Sequence, residues 1–122
     1  MSLHESQEMY LETIFVLSQK SPSVRSIDVA EEMGYSKPSV SRAVALLKNK
    51  GYLNVAPDGS LILTESGVTT ARRVFERHTV LSEFLSLIGV SNETASVDAC
   101  RIEHVISDET VAAIKNYINK QK

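Results

Sequence analysis

Apolar residues recur at helical spacing from near the start of the chain. Met9, Leu11, Ile14, Phe15 and Leu17 follow mixed three- and four-residue offsets, which predicts an amphipathic helix over about residues 5–19. Pro22 cannot continue a helix and marks its end. A short helix is expected over Ile27–Met33, with Ser26 as its cap and Asp28 at the positive end of its dipole. Gly34 and Tyr35 form the turn, glycine being free to adopt positive φ. Ser36 caps the next helix, which tolerates Pro38 in its first turn and stops at Gly51. Val40, Ala43, Val44 and Leu47 make its apolar stripe.

Beyond Gly51 the pattern shortens. Tyr52–Val55 and Leu61–Leu63 flank Pro57-Asp-Gly-Ser60, a hairpin signal. Thr64 caps a long helix that reaches about Leu87 and ends at Gly89. Its stripe of Val68, Ala71, Val74, Phe75, Leu81, Leu85 and Ile88 is interrupted by one imidazole, His78. Ser91 caps a further helix expected to carry Cys100, Glu103 and His104. Ser107 starts the last helix, with Val111, Ile114, Tyr117 and Ile118 on its buried side. The fold class is mainly α with a small β-hairpin wing. A winged helix-turn-helix is expected over residues 1–70 and a helical domain over 71–122.

Composition narrows the class. At 122 residues, 43% hydrophobic and 23% charged, the chain suits one ordinary globular domain or two small lobes. No apolar run approaches the ~18 residues that span a bilayer, and the first residues lack the basic-plus-apolar pattern expected of a signal peptide. A single cysteine cannot form an internal disulfide, so a reducing cytoplasm is expected. The net charge of −2 argues against a chain that coats nucleic acid all over. Charge is nevertheless segregated: between Met33 and Pro57 stand Lys37, Arg42, Lys48 and Lys50, with no acidic residue. Helix, glycine turn and second helix suit a helix-turn-helix, whose second helix is expected to enter the major groove of double-stranded DNA; the competing reading is a helical pair with a merely solvated cationic face. The DNA-facing residues are then Ser36, Lys37, Pro38, Ser39, Ser41, Arg42 and Lys48. The hydroxyls suit phosphates, and Arg42 can reach a phosphate or a base edge. Asp58 at the hairpin tip is a poor phosphate partner, so weak contacts are expected there.

Cys100 is followed by Glu103 and His104 at i+3 and i+4, one face of a helix. Thiolate, carboxylate and imidazole suit a borderline-soft divalent metal. The competing reading is a cysteine buried as a small hydrophobe beside a surface Glu-His pair. Met9 and Glu12 lie three residues apart on the first helix, where a methionine is more often core than ligand.

Four runs resemble the diphtheria toxin repressor and manganese transport regulator family of metal-dependent repressors: residues 8–14, 27–31, 63–67 and, most specific of all, Asp98-Ala-Cys-Arg-Ile-Glu-His-Val-Ile-Ser-Asp-Glu109. The resemblance covers nearly the whole chain and implies a winged helix followed by a helical dimerisation domain. It implies the two-domain form, lacking the SH3-like domain of longer members. It also implies Met9, Cys100, Glu103 and His104 as primary-site ligands, with Glu12 and His78 at a second site. Two positions depart from the family: Ser82, with Glu83 one step off register, stands where members often have glutamate, and Ser96 where some have histidine. A second site is therefore expected to be weaker, rearranged or absent. Sulfur ligands favour Fe(II) as the cofactor, with Mn(II) open because Glu12 resembles the manganese branch, and Co(II), Ni(II) or Zn(II) as substitutes in vitro.

The expected function is a homodimeric repressor that binds a palindromic operator when its metal is bound, with no membrane partner. The competitor is a winged-helix regulator that senses a small organic ligand or no effector. A metalloenzyme would need an acid/base pair that the chain does not offer and would leave the helix-turn-helix without a role; a metal-buffering or zinc-stabilised structural protein is favoured if the metal-free chain unfolds.

Overall fold

The computed structural model describes residues 5–122. Among them, six helices and one two-stranded sheet follow in the order α1 (Glu5–Lys20), α2 (Ser26–Met33), α3 (Lys37–Asn49), β1 (Leu53–Val55), β2 (Leu61–Leu63), α4 (Glu65–Leu87), α5 (Asn92–Ile102) and α6 (Asp108–Lys120). The chain divides into two compact units, Met1–Arg72 and Arg73–Lys122, and α4 contributes to both. No helix of the described residues is long and apolar enough to cross a membrane.

The first unit is built on the stripes of its three helices. Leu11 and Ile14 from α1, Val29 from α2, Val40 and Leu47 from α3 and Leu53 from β1 are all fully buried in one cluster. Each such side chain contributes about 1.5–3 kcal/mol relative to exposure. Gly34 closes α2 at φ 70°, its N–H donating to the Ala30 carbonyl at 2.9 Å. The hairpin pairs Leu53 with Leu63 and Val55 with Leu61 in antiparallel register.

Two features of this unit differ from expectation. Ser26 is the first residue of α2 and not its cap; the Asp28 carboxylate reaches back to accept the Arg25 N–H at 2.9 Å. A carboxylate in the first turn can meet an exposed N–H while also facing the positive end of the dipole. The segment before α2 also joins the hairpin, because Leu61 N–H donates to the Val24 carbonyl at 2.7 Å. Val24 is buried among the residues of the helical core, which a scan for alternation misses in so short a stretch.

The second unit comprises the rest of α4 with α5 and α6. Ser91 and Ser107 cap α5 and α6 as expected, accepting the N–H groups of Thr94 and Thr110. Its buried apolar set is short: Val74, Val80, Leu81, Ala95, Ala99 and Ile118. Phe75, Ile88 and Tyr117, expected on buried stripes, are exposed. Three helices have too few faces to cover one another's apolar stripes. Phe84 and Tyr117 meet edge to face, 5.9 Å between centroids, on the wall of an apolar groove of about 410 Å³.

The start of α4 lies against the hairpin through a close backbone approach. Thr64 N–H donates to the Tyr52 carbonyl at 3.0 Å, and the Thr64 hydroxyl to the Gly51 carbonyl at 2.7 Å. A Cβ on Gly67 would overlap that same Tyr52 carbonyl oxygen, which is backbone and cannot step aside. Gly67→Ala is expected to destabilise the protein by about 1–3 kcal/mol, the usual cost of forced overpacking, despite alanine's better helix propensity. Urea denaturation followed by circular dichroism measures it; a variant as stable as wild type contradicts this packing.

Candidate functional site

The run containing Cys100, Glu103 and His104 does not stay helical. α5 ends at Ile102, Glu103 occupies the C-cap position and His104 lies in the turn before Ser107 restarts the chain as α6. The expectation of one helix carrying all three is corrected at its last residues. The i, i+3 relation survives locally, because Glu103 keeps right-handed helical angles (φ −57°, ψ −24°) and its N–H donates to the Ala99 carbonyl.

Glu103 is the unusual residue. Its side chain has no solvent exposure, yet it carries a carboxylate. Oε2 lies 2.9 Å from Nδ1 of His78 on α4, and Oε1 lies 3.3 Å from Nε2 of His104, whose side chain is also fully buried. The contact to His104 lacks hydrogen-bond geometry, which leaves Oε1 without a hydrogen bond among the described residues. A carboxylate without water needs a cation or a donor at each oxygen. Here imidazole nitrogen stands at both. Cys100, one turn earlier on α5, is partly buried and in no disulfide. Among the described residues, no group of three or more His, Cys, Asp or Glu side chains is gathered closely enough to hold a metal as it stands.

One further residue, absent from the sequence-derived candidates, packs against this turn. Arg77, buried on α4, donates through Nη1 to the Glu103 carbonyl at 3.1 Å and to the Ile106 carbonyl at 2.6 Å. Nη2 donates to the Asp108 carboxylate in the first turn of α6. The available signal was position: Arg77 stands between Val74 and Leu81 at three- and four-residue spacing, a cation on the buried face of a helix.

The remaining expected ligands are placed as follows. Met9 and Glu12 are partly buried on α1, and Glu12 lines a cavity of about 170 Å³ with Thr13, Val16, Leu17 and Glu32. The Ser82 hydroxyl is buried without a hydrogen-bond partner among the described residues. Its neighbour Glu83 pairs with Lys122 at 3.5 Å.

On the first unit, the N-terminal half of α3 is a polar surface. Ser36, Lys37, Pro38, Ser41, Arg42 and Lys48 are exposed and Ser39 is half-buried. The Ser36 hydroxyl accepts the Ser39 N–H at 3.3 Å, which caps the helix, and donates to Ser39 Oγ at 2.9 Å. Arg42 donates to the same Oγ at 3.3 Å, so a row of polar groups runs along one face. Tyr10 of α1 meets Tyr35 of the turn edge to face at 5.9 Å. Burial pushes the Tyr10 phenol up from its usual range; Tyr35 adds to the rise and the Arg42 charge offsets part of it. At the hairpin tip, the Ser60 N–H holds the Asp58 carboxyl below its usual range, so it stays ionised at neutral pH. An ionised tip repels phosphate, whereas α3 presents Lys37, Arg42 and Lys48 on its exposed face.

Comparison with known proteins covers both units. Residues 2–61 match the iron-dependent repressor N-terminal DNA-binding domain, and residues 64–122 match the iron-dependent repressor metal-binding and dimerisation domain. The chain is 33% identical over 111 residues to the transcriptional regulator MntR of Escherichia coli, covering 91% of this chain and 72% of that one. It is 37% identical over 108 residues to the diphtheria toxin repressor of Corynebacterium diphtheriae, covering 88% of this chain and 48% of the repressor. It thus spans about half the length of that relative. A solved manganese-dependent transcriptional repressor in complex with manganese superposes with a TM-score of 0.85 at 26% identity, over 93% of this chain and 52% of that one.

The two serines of α3 separate a structural role from a surface one. Ser36→Ala removes the acceptor for the Ser39 N–H and is expected to cost about 1 kcal/mol of stability. Ser41→Ala, at an exposed position, is expected to change stability by less than about 0.5 kcal/mol. Equal losses in thermal unfolding would contradict the assignment of Ser36 as the cap.

Proposed function

The chain belongs to the iron-dependent repressor family of metal-dependent, DNA-binding transcriptional regulators, and from that premise we propose that Cys100, Glu103 and His104 bind the divalent ion that switches its DNA binding. His78 joins them through its contact with Glu103, and Met9 and Glu12 are the further donors on α1. The observation that carries this reading is the Glu103 carboxylate, fully buried with an imidazole nitrogen at each oxygen. Such a set of carboxylate and imidazole donors fits a divalent cation. Fe(II) is the proposed physiological ion, because sulfur from Cys100 and Met9 suits it better than the harder Mn(II). Mn(II) is the competitor, with Co(II), Ni(II) and Zn(II) as substitutes in vitro.

The chain's own residues do the rest. Ligands from α1 and from α5 belong to different units, so their joint engagement would restrict the freedom of the DNA-binding unit. Two α3 helices of a homodimer must enter successive major grooves about 34 Å apart. Restricted units meet that spacing at a lower entropic cost, so DNA affinity rises. Ser36, Lys37, Pro38, Ser39, Ser41, Arg42 and Lys48 are the proposed contacts to a palindromic operator, the hydroxyls and lysines to phosphate and Arg42 to phosphate or base. The apolar groove between α4 and α6, with Ile88 and Tyr117 exposed at it, is the proposed contact surface for a second copy. The cytoplasm, which keeps Cys100 reduced, is the proposed location.

Glu103→Ala should weaken Mn(II) binding at least about tenfold in calorimetric titration of the full chain. Arg42→Ala should leave metal binding unchanged while weakening operator binding by about 1–3 kcal/mol at fixed salt. Glu103→Ala with wild-type metal affinity would remove the ion from this turn.

A further inference from the structure

Consecutive residues of α4 grip Glu103 twice. His78 meets its side chain, Nδ1 lying 2.9 Å from Oε2. Arg77 meets its main chain, donating to its carbonyl at 3.1 Å, and continues to the Ile106 carbonyl at 2.6 Å and to Asp108. The three acceptors of this one guanidinium therefore mark the end of α5, the turn, and the first turn of α6.

The geometry suits arginine. Carbonyls at a helix C-terminus lack intrahelical partners and carry partial negative charge. A guanidinium presents several donors in a fixed fork, so it can satisfy carbonyls on two sides of a turn at once. The Asp108 side chain is 83% exposed, so its ion pair is solvent-screened. The main-chain bond to Glu103 is buried and that to Ile106 partly so, and together they tie the backbone at Glu103 to that at Ile106. The path between them determines where the Glu103 and His104 side chains project.

We propose that Arg77 is a positioning residue for the metal-binding turn: it fixes the backbone from Glu103 to Ile106 and so presets Glu103 and His104 for a divalent ion that it does not itself touch. This rests on the reading of Glu103 and His104 as ligands. Its consequence is that metal affinity depends on a cation outside the coordination shell, as second-shell partners of metal ligands generally do.

The experiment compares the full chain with Arg77→Met, Arg77→Lys and Glu103→Gln. Mn(II) affinity is measured by calorimetric titration, and amide hydrogen exchange at Val105 and Ile106 in the metal-free proteins. Both amides donate to the Ile102 carbonyl, at 3.0 and 3.1 Å, and so report the order of the turn. Arg77→Met is expected to fold, to bind Mn(II) about 10–100-fold more weakly, and to exchange these amides faster than wild type. Arg77→Lys, which keeps the charge but not the fork, is expected to fall between the two. A folded Arg77→Met with wild-type Mn(II) affinity overturns the proposal. Should Arg77→Met not fold, Arg77→Lys carries the same test, and unchanged affinity with unchanged exchange overturns it. Loss of Mn(II) in Glu103→Gln, with retention in Arg77→Met, removes only the positioning role. Retention in Glu103→Gln removes the metal reading and the positioning role together.

Discussion

A carboxylate with no exposure to water is the constraint on which the second unit turns. Glu103 sits in a three-helix unit whose apolar core is small, so its charge must be met by named neighbours and not by solvent. His78 and His104 face its oxygens, and Arg77 holds its carbonyl. Replacing the carboxylate with a hydrocarbon of similar volume would make a simpler core, as buried ion pairs seldom add net stability. On the proposed metal reading its burial has a use, because a desolvated, preoriented carboxylate would meet a cation without first shedding its own water. The same unit leaves Phe75, Ile88 and Tyr117 exposed. The proposed dimer contact would account for that exposure, since the unit matches a metal-binding and dimerisation domain.

The first unit obeys a different constraint. Its core is complete within itself, with six side chains at zero exposure drawn from α1, α2, α3 and β1. A rigid scaffold lets the outer face of α3 remain polar and cationic without loss of structure. Ser36 shows how capping and surface chemistry overlap: its hydroxyl satisfies the Ser39 N–H and also begins the row that ends at Arg42. The hairpin contributes shape more than charge, since Asp58 stays ionised at its tip.

Periodicity and capping chemistry made most of the fold legible. Ser36, Thr64, Ser91 and Ser107 each accept the N–H three residues on, and the hairpin lies on either side of the Pro57–Ser60 turn as its residues predict. What stayed hidden depends on tertiary partners. The Val24–Leu61 hydrogen bond is a contact between distant segments with no local pattern. The exposure of Phe75, Ile88 and Tyr117 depends on how many helices share a core, whereas a stripe reports only that one face is apolar. Ser107 announces a new helix, but the i, i+3, i+4 spacing of Cys100, Glu103 and His104 carries the preceding helix two residues too far, past its end at Ile102. Arg77 was passed over because a charged residue on a long helix ordinarily faces solvent. Its spacing from Val74 and Leu81 was the clue.

The central claim is that DNA affinity is under metal control. The most direct test is fluorescence anisotropy of a labelled DNA fragment from upstream of the protein's own coding sequence. The protein is titrated first with chelator, then anaerobically with Fe(II), Mn(II) and Zn(II) in turn. Binding that appears only with metal, with Fe(II) effective at lower concentration than Mn(II), is the predicted result. Equal binding in chelator would contradict the claim, leaving a winged-helix DNA binder whose buried carboxylate serves only its fold.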